Sequence, residues 1–172
     1  DILSGILVNT TGRSVFDFAT EYLFTPLGIE VKNKITFSSE EEQVAFLKAK
    51  DINGWVIDSC GINAAGWGLT LSTRAMAKIG QLYLNQGRWN KQQIVSKQWV
   101  IDSIKKQSYN DELNLAYGYL WWLHQDGFMA MGDGGNVIYV NIMKKIVISI
   151  TATFKPDVND LSLIHISEPT RP

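Results

Sequence analysis

The spacing of apolar positions divides the chain into a helical first part and a strand-rich second part. Residues 2–11 place Leu3, Ile6 and Leu7 on one face and run into Gly12, a residue type that readily takes the left-handed conformation after a helix. Ser14 predicts a second helix, because its hydroxyl can serve an orphan amide while Asp17 sits near the positive helix end. Phe16, Ala19 and Leu23 supply its apolar stripe, with Pro26 and Gly28 expected to stop it. Residues 35–37 fit a short strand. Ser39, followed by Glu40, Glu41 and Glu42, fits another capping box opening a helix with Val44, Phe46 and Leu47. The three glutamates read as a solvated first turn rather than a metal site. Residues 53–68 are rich in Gly, Asn and Trp, a loop too long for a simple connector, and long ordered loops tend to carry function. Ser72 caps the clearest helix, with Met76, Ile79, Gly80 and Tyr83 at helical spacing, Gly87 beyond its end and Trp89-Asn90 opening a turn. Residues 97–106 predict one more helix, with Trp99, Val100 and Ile104 turned inward.

After Tyr117 the period changes. Residues 119–124, 128–132, 136–142 and 146–154 read as strands, joined by short connections at 125–127, 133–135 and 143–145, and short connections make an antiparallel meander. Helices first and sequential strands last predict an α+β fold with helices packed on an antiparallel sheet. Leu120, Trp121 and Trp122 are expected as core or cleft-wall side chains.

Composition narrows the functional classes. A chain of 172 residues suits one domain, and 45% hydrophobic with 19% charged is the balance of a globular protein. A net charge of -1 leaves no field to draw in nucleic acid or an anionic membrane, so no nucleic-acid partner is expected. No stretch approaches the roughly 18 to 20 apolar residues of a membrane span. Cys60 cannot form an internal disulfide and reads as a small buried apolar residue. With only two histidines a Cys/His zinc cage cannot be assembled, and no metal or organic cofactor is implied. Asn9-Thr10-Thr11 spells a glycosylation sequon at a helix end. The chain opens already in helical periodicity, as if continuing something longer. Residues 161–171 fit no pattern and resemble the conceptual translation of a common transposon sequencing adapter. Residues 1–160 are therefore read as the C-terminal part of a single domain and 161–172 as an artefactual tail. His165 then drops out of catalytic arguments, leaving His124.

Leu3-Ser4-Gly5-Ile6-Leu7, Thr11-Gly12-Arg13-Ser14 and Phe24-Thr25-Pro26-Leu27-Gly28-Ile29 resemble the β-lactamase-related serine hydrolases, which include class C β-lactamases, D-Ala-D-Ala carboxypeptidases and esterases. Residues 65–73, 77–85 and 117–122 resemble that family's later blocks in the same order. The resemblance implies an acyl-enzyme mechanism: a serine in Ser-x-x-Lys attacks a carbonyl, the lysine and a Tyr-x-Asn tyrosine move protons, and backbone amides hold the oxyanion. Both motifs are expected upstream of Asp1. Ser103-Ile104-Lys105-Lys106 spells Ser-x-x-Lys but falls on a late helix and reads as a solvated face.

The family's third motif is Lys/His-Thr-Gly or His-Gly-Gly on an edge strand, and its place is taken by Gly132-Asp133-Gly134-Gly135-Asn136. By this alignment Asp133, Gly134 and Gly135 bind substrate, the glycines permitting close approach, and the backbone amide of Asn136 is an oxyanion donor. An aspartate at this place repels a substrate carboxylate by about 1 kcal/mol at surface-like dielectric. That favours a neutral ester or amide over β-lactams. Read without the resemblance, 133–135 is a plain hairpin turn. The expected partner is a small-molecule or peptide substrate. A non-catalytic penicillin-binding-like sensor and a binding module with a tryptophan-lined groove stand as alternatives, and the family's members are commonly exported.

Overall fold

The computed structural model describes residues 2–132 and 134–152, the side chain of Asn33 excepted. Asp133, the end of the last expected strand and the adapter-like tail lie outside the described residues. Helix α1 (Ile2–Thr11) ends at Gly12, whose φ is 67° and whose amide donates to the Val8 carbonyl. Ser14 caps α2 (Val15–Ala19), accepting from the Asp17 amide at 3.0 Å. Pro26 does not end this helix. The chain widens into a π turn (Thr20–Phe24), where the Thr25 amide donates to the Thr20 carbonyl, and then re-enters α3 (Thr25–Leu27), with Pro26 in its first turn. Proline has no N–H and crowds the carbonyl four residues back, and the wider turn relieves both problems. Gly28, at φ 59°, supplies the stop.

Strand β1 (Asn33–Ile35) begins two residues before its expected place. It pairs in parallel with β2 (Gly54–Val56), a strand hidden inside the stretch expected as loop. Between them lies α4 (Glu40–Lys48), capped by Ser39 through the Glu42 amide; Glu42 reaches back to the amide of Ser38 rather than of Ser39. The central helix α5 (Thr73–Leu84) is capped by Ser72. The hairpin β3 (Arg88–Trp89) and β4 (Gln92–Gln93) turns through Asn90 and Lys91, both at positive φ. Helix α6 (Lys97–Ser103) is three residues shorter than expected, and Trp99 lies outward, stacked on Tyr119, while Val100 is buried.

The main sheet has six antiparallel strands, and the meander starts earlier than the sequence pattern indicates. Strands β5 (Ser108–Asn110) and β6 (Leu115–Tyr117) precede β7 (Trp122–His124), β8 (Gly127–Gly132), β9 (Asn136–Asn141) and β10 (Ile146–Ile150), each pairing with the next. Trp121 belongs to the core and Trp122 is half-buried, but Leu120 is exposed at a φ of 65°, against expectation.

Helix α5 holds the two halves together. Its Ala75 and Leu82 pack with Phe24, Leu27, Ile29 and Trp55; its Met76 packs with Trp121, Phe128, Ile138 and Val140 on the sheet; Leu71 and Ile79 touch both groups. Full burial of a side chain such as Leu82 or Val140 is worth about 1.5–3 kcal/mol. Gly80 sets the approach of helix to sheet, since a Cβ there would stand 2.6 Å from Val147 Cγ1 and 2.9 Å from Ile138 Cγ2. On the opposite sheet face Ile146, Ile148 and Ile150 are all exposed.

Gly80→Ala is expected to lower the unfolding free energy by about 1–3 kcal/mol through overpacking, although alanine is the better helix former by about 1 kcal/mol. Denaturant titration checks this, and an unchanged or raised midpoint would remove the packing argument. Burial also raises the Tyr117 phenol above its ordinary value. The folded protein therefore holds that proton to higher pH than the unfolded chain does, so stability is expected to fall as pH rises above about 10. Unfolding midpoints measured across alkaline pH, with Tyr117→Phe as reference, read the effect.

Candidate functional site

The hairpin between β8 and β9 carries the glycine-rich motif. Gly132 pairs with Asn136, and the turn between them places Gly134 at φ 77° and Gly135 at φ 88°. Both values lie where a side chain is strained, so the glycines are conformational requirements of this turn. Gly135 is buried, while Gly134 and Asn136 are half-buried. Asn136 shares a sheet face with Ile138 and Val140, the face turned to α5, and its Oδ1 accepts from the Ala152 amide at 3.3 Å. Asp133 is outside the described residues.

The N-terminus of α5 is fixed to the same end of the sheet. Val137 pairs with Ile150, the Ser149 hydroxyl donates to the Thr73 carbonyl at 2.7 Å, and the hydroxyls of Thr73 and Thr151 are 2.7 Å apart. The segment entering α5 therefore ends beside the glycine hairpin.

That segment is itself ordered. Asp58 Oδ1 accepts from the amides of Cys60 and Ile62 at 2.9 and 2.8 Å, and Gly61 turns at φ 78°. Ile57 bridges Asn63, Trp55 bridges Leu69, and the Trp55 indole donates to the Ala64 carbonyl at 2.8 Å. Gly68, at φ 80°, lets the chain cross β2, because a Cβ there would lie 2.6 Å from Val56 Cβ. Beside this loop Phe37 and Trp67 stack with centroids 6.1 Å apart, and Phe46 meets Trp67 edge-on. A hydrogen bond from the Ser39 hydroxyl, followed by a backbone bond, holds the Glu41 carboxyl below its ordinary range.

Other sequence candidates are not brought to either place. Ser103 is 1% exposed, and its hydroxyl donates to the Val100 carbonyl at 3.0 Å. It is a buried helix-end serine, neither a free nucleophile nor the solvated face expected. Cys60 is exposed rather than buried, because the turn built on Asp58 carries it outward. His124 is exposed, edge-on to Tyr139. The sequence pattern does not join Phe37, Phe46 and Trp67 into one aromatic group or place the buried Asn63 near it; a tryptophan in a long Gly-rich loop is the available signal.

No family model and no curated protein matches the chain. Among solved structures it is similar to the "Putative 6-aminohexanoate-dimer hydrolase from Bacillus anthracis", with a TM-score of 0.70 and 23% identity over 95% of this chain and 39% of that one. At that identity the likeness establishes a common fold. The α+β arrangement of helices on an antiparallel sheet is thus part of the larger fold of a protein named as a hydrolase, and the chain spans well under half of its length.

Gly68→Ala is expected to cost about 2–4 kcal/mol, combining a left-handed alanine with overlap onto Val56. Gly66→Ala, with no atom within 4 Å of the added methyl, is the control. Equal unfolding midpoints for the two variants would show that the loop is free to shift.

Proposed function

We propose that this chain is the oxyanion side of a serine hydrolase that acts through an acyl-enzyme on an ester, amide or peptide bond. The attacking serine of Ser-x-x-Lys, and the lysine and tyrosine that move its proton, belong to polypeptide other than this chain. The serine oxygen bonds to the substrate carbonyl carbon and the carbonyl oxygen becomes an oxyanion. The leaving alcohol or amine departs with a proton, and water then cleaves the acyl-enzyme. In this reading the Asn136 amide donates to the oxyanion, and Gly134 and Gly135, having no side chains, let substrate run close to the start of β9.

The observation that carries the proposal is the pair of left-handed glycines opening β9 at the sheet end where α5 is anchored. The common fold with a protein named as a hydrolase supports the reaction type; that protein's substrate is not carried over. Ser103, the one Ser-x-x-Lys serine in the sequence, spends its hydroxyl on the Val100 carbonyl. Asp133 at the motif's first variable place favours neutral substrates over carboxylates, by about 1 kcal/mol.

The test joins this chain to a polypeptide carrying the Ser-x-x-Lys and tyrosine motifs and follows ester and amide hydrolysis. Asn136→Pro, which removes the amide donor at the first residue of a strand, is expected to lower kcat by about 10²–10³. Asn136→Ala keeps the donor and is expected to retain activity within a few fold. Equal losses would refute the oxyanion role, and acylation without turnover would identify a binder instead. Expressed alone, the chain is expected to take no fluorophosphonate label at serine; labelling would refute the division of the site.

A further inference from the structure

The ordered loop after β2 forms a concavity that the hydrolase reading does not use. A cavity of about 660 Å³ opens between this loop and the start of α4, and Phe37, Asn63 and Trp67 are among the residues that line it. Trp67 is 42% exposed, yet its ring is held by the near-parallel Phe37, 15° away in plane, and by the edge of Phe46. A large aromatic surface fixed by two other rings and left half open can extend its stack onto a flat apolar group without further ordering.

Asn63 supplies the polar handle. It is 1% exposed, and its Oδ1 accepts from the Phe16 amide at 3.0 Å, which fixes the orientation of the side-chain amide. Its Nδ2 is buried with no hydrogen-bond partner. A buried unpaired donor is costly, and an acceptor delivered by a ligand recovers that cost. The charged side chains lining the cavity are Glu40 and Asp58, with no cation among them, so an anionic ligand meets repulsion and no compensating charge. A neutral carbonyl oxygen answers both conditions.

We propose that this cavity is a binding site for a neutral aromatic amide, its carbonyl accepting from Asn63 Nδ2 and its ring stacked on Trp67. The site stands on the cavity, the ring cluster and the unpaired donor, and it does not depend on the glycine hairpin. Its test reads binding alone, so its failure leaves the hydrolase reading standing, and the reverse holds.

The full 172-residue chain is titrated with benzamide and, separately, with benzoate, while heteronuclear NMR follows the Asn63 side-chain amide and the Trp67 indole N–H. Benzamide is expected to shift both signals saturably, and benzoate to bind at least about tenfold more weakly. Asn63→Asp retains an oxygen for Phe16 and removes the donor. Trp67→Ala alters a solvent-facing position and leaves the buried framework intact. Each is expected to weaken benzamide about tenfold or more. The proposal is overturned if benzamide shifts neither signal saturably, if benzoate binds equally well, or if Trp67→Ala leaves benzamide affinity unchanged. Should Asn63→Asp fail to fold, Trp67→Ala together with the benzoate comparison decides the matter.

Discussion

One helix is buried on two sides, and the rest of the molecule is arranged around that demand. Helix α5 gives Ala75 and Leu82 to the cluster around Trp55 and Met76 to the cluster around Phe128, while Leu71 and Ile79 border both. The meander meets this helix through β9 and β10, and the small parallel pair of strands meets it through Trp55. Gly80 is the point of closest approach, where the methyls of Val147 and Ile138 occupy the space a side chain would need. Packed interiors tolerate few voids and little overlap, so α5 cannot move closer to the sheet at Gly80 without displacing those methyls.

That fixed helix has a working end. Thr73 is bonded to Ser149 and Thr151, Ser149 lies on β10 next to the pair Ile150 and Val137, and Val137 follows the hairpin residue Asn136. These bonds tie the start of α5 to the end of β10 and, through the pairing of β10 with β9, to the strand that the glycine turn opens. The loop entering the helix is tightened separately, by the Asp58 carboxylate gathering two amides and by Gly68 lying against Val56. The glycine hairpin and the aromatic cavity are thus both held by bonded or closely packed structure.

Helix boundaries were legible where a cap and a stop bracketed the apolar period. Ser14, Ser39 and Ser72 all accept from the amide three residues on, and Gly12 and Gly28 close their helices. Strand β2 was not legible, because a run of three residues inside a Gly- and Asn-rich stretch becomes a strand only through pairing with β1, some twenty residues earlier. Strands β5 and β6 are equally short and owe their existence to the sheet they extend. Trp99 and Leu120 show the limit of periodicity: hydrophobicity predicts an inward side chain, but a stacked partner on the surface and a left-handed backbone turned these two outward. The glycine hairpin could be read from adjacent residues. The cavity could not, because Phe37 comes from a segment apart from the loop that carries Asn63 and Trp67, and the orientation of Asn63 depends on Phe16, distant in sequence.

The order in which α5 and its sheet partners occur along the chain bears on how the protein is made. Gly80 precedes Val147 by most of the meander, so one flank of the helix has no covering strand while the intervening residues are synthesised. At ordinary elongation rates of about 5–20 residues per second, that interval lasts on the order of several seconds. During it, the Gly80 face of the helix lacks its covering methyls, although Trp121 and Phe128 become available to Met76 before β9 is made. Arrival of β9 and β10 ends the exposure, which makes the last two described strands the timing element of biogenesis rather than mere additions to a sheet.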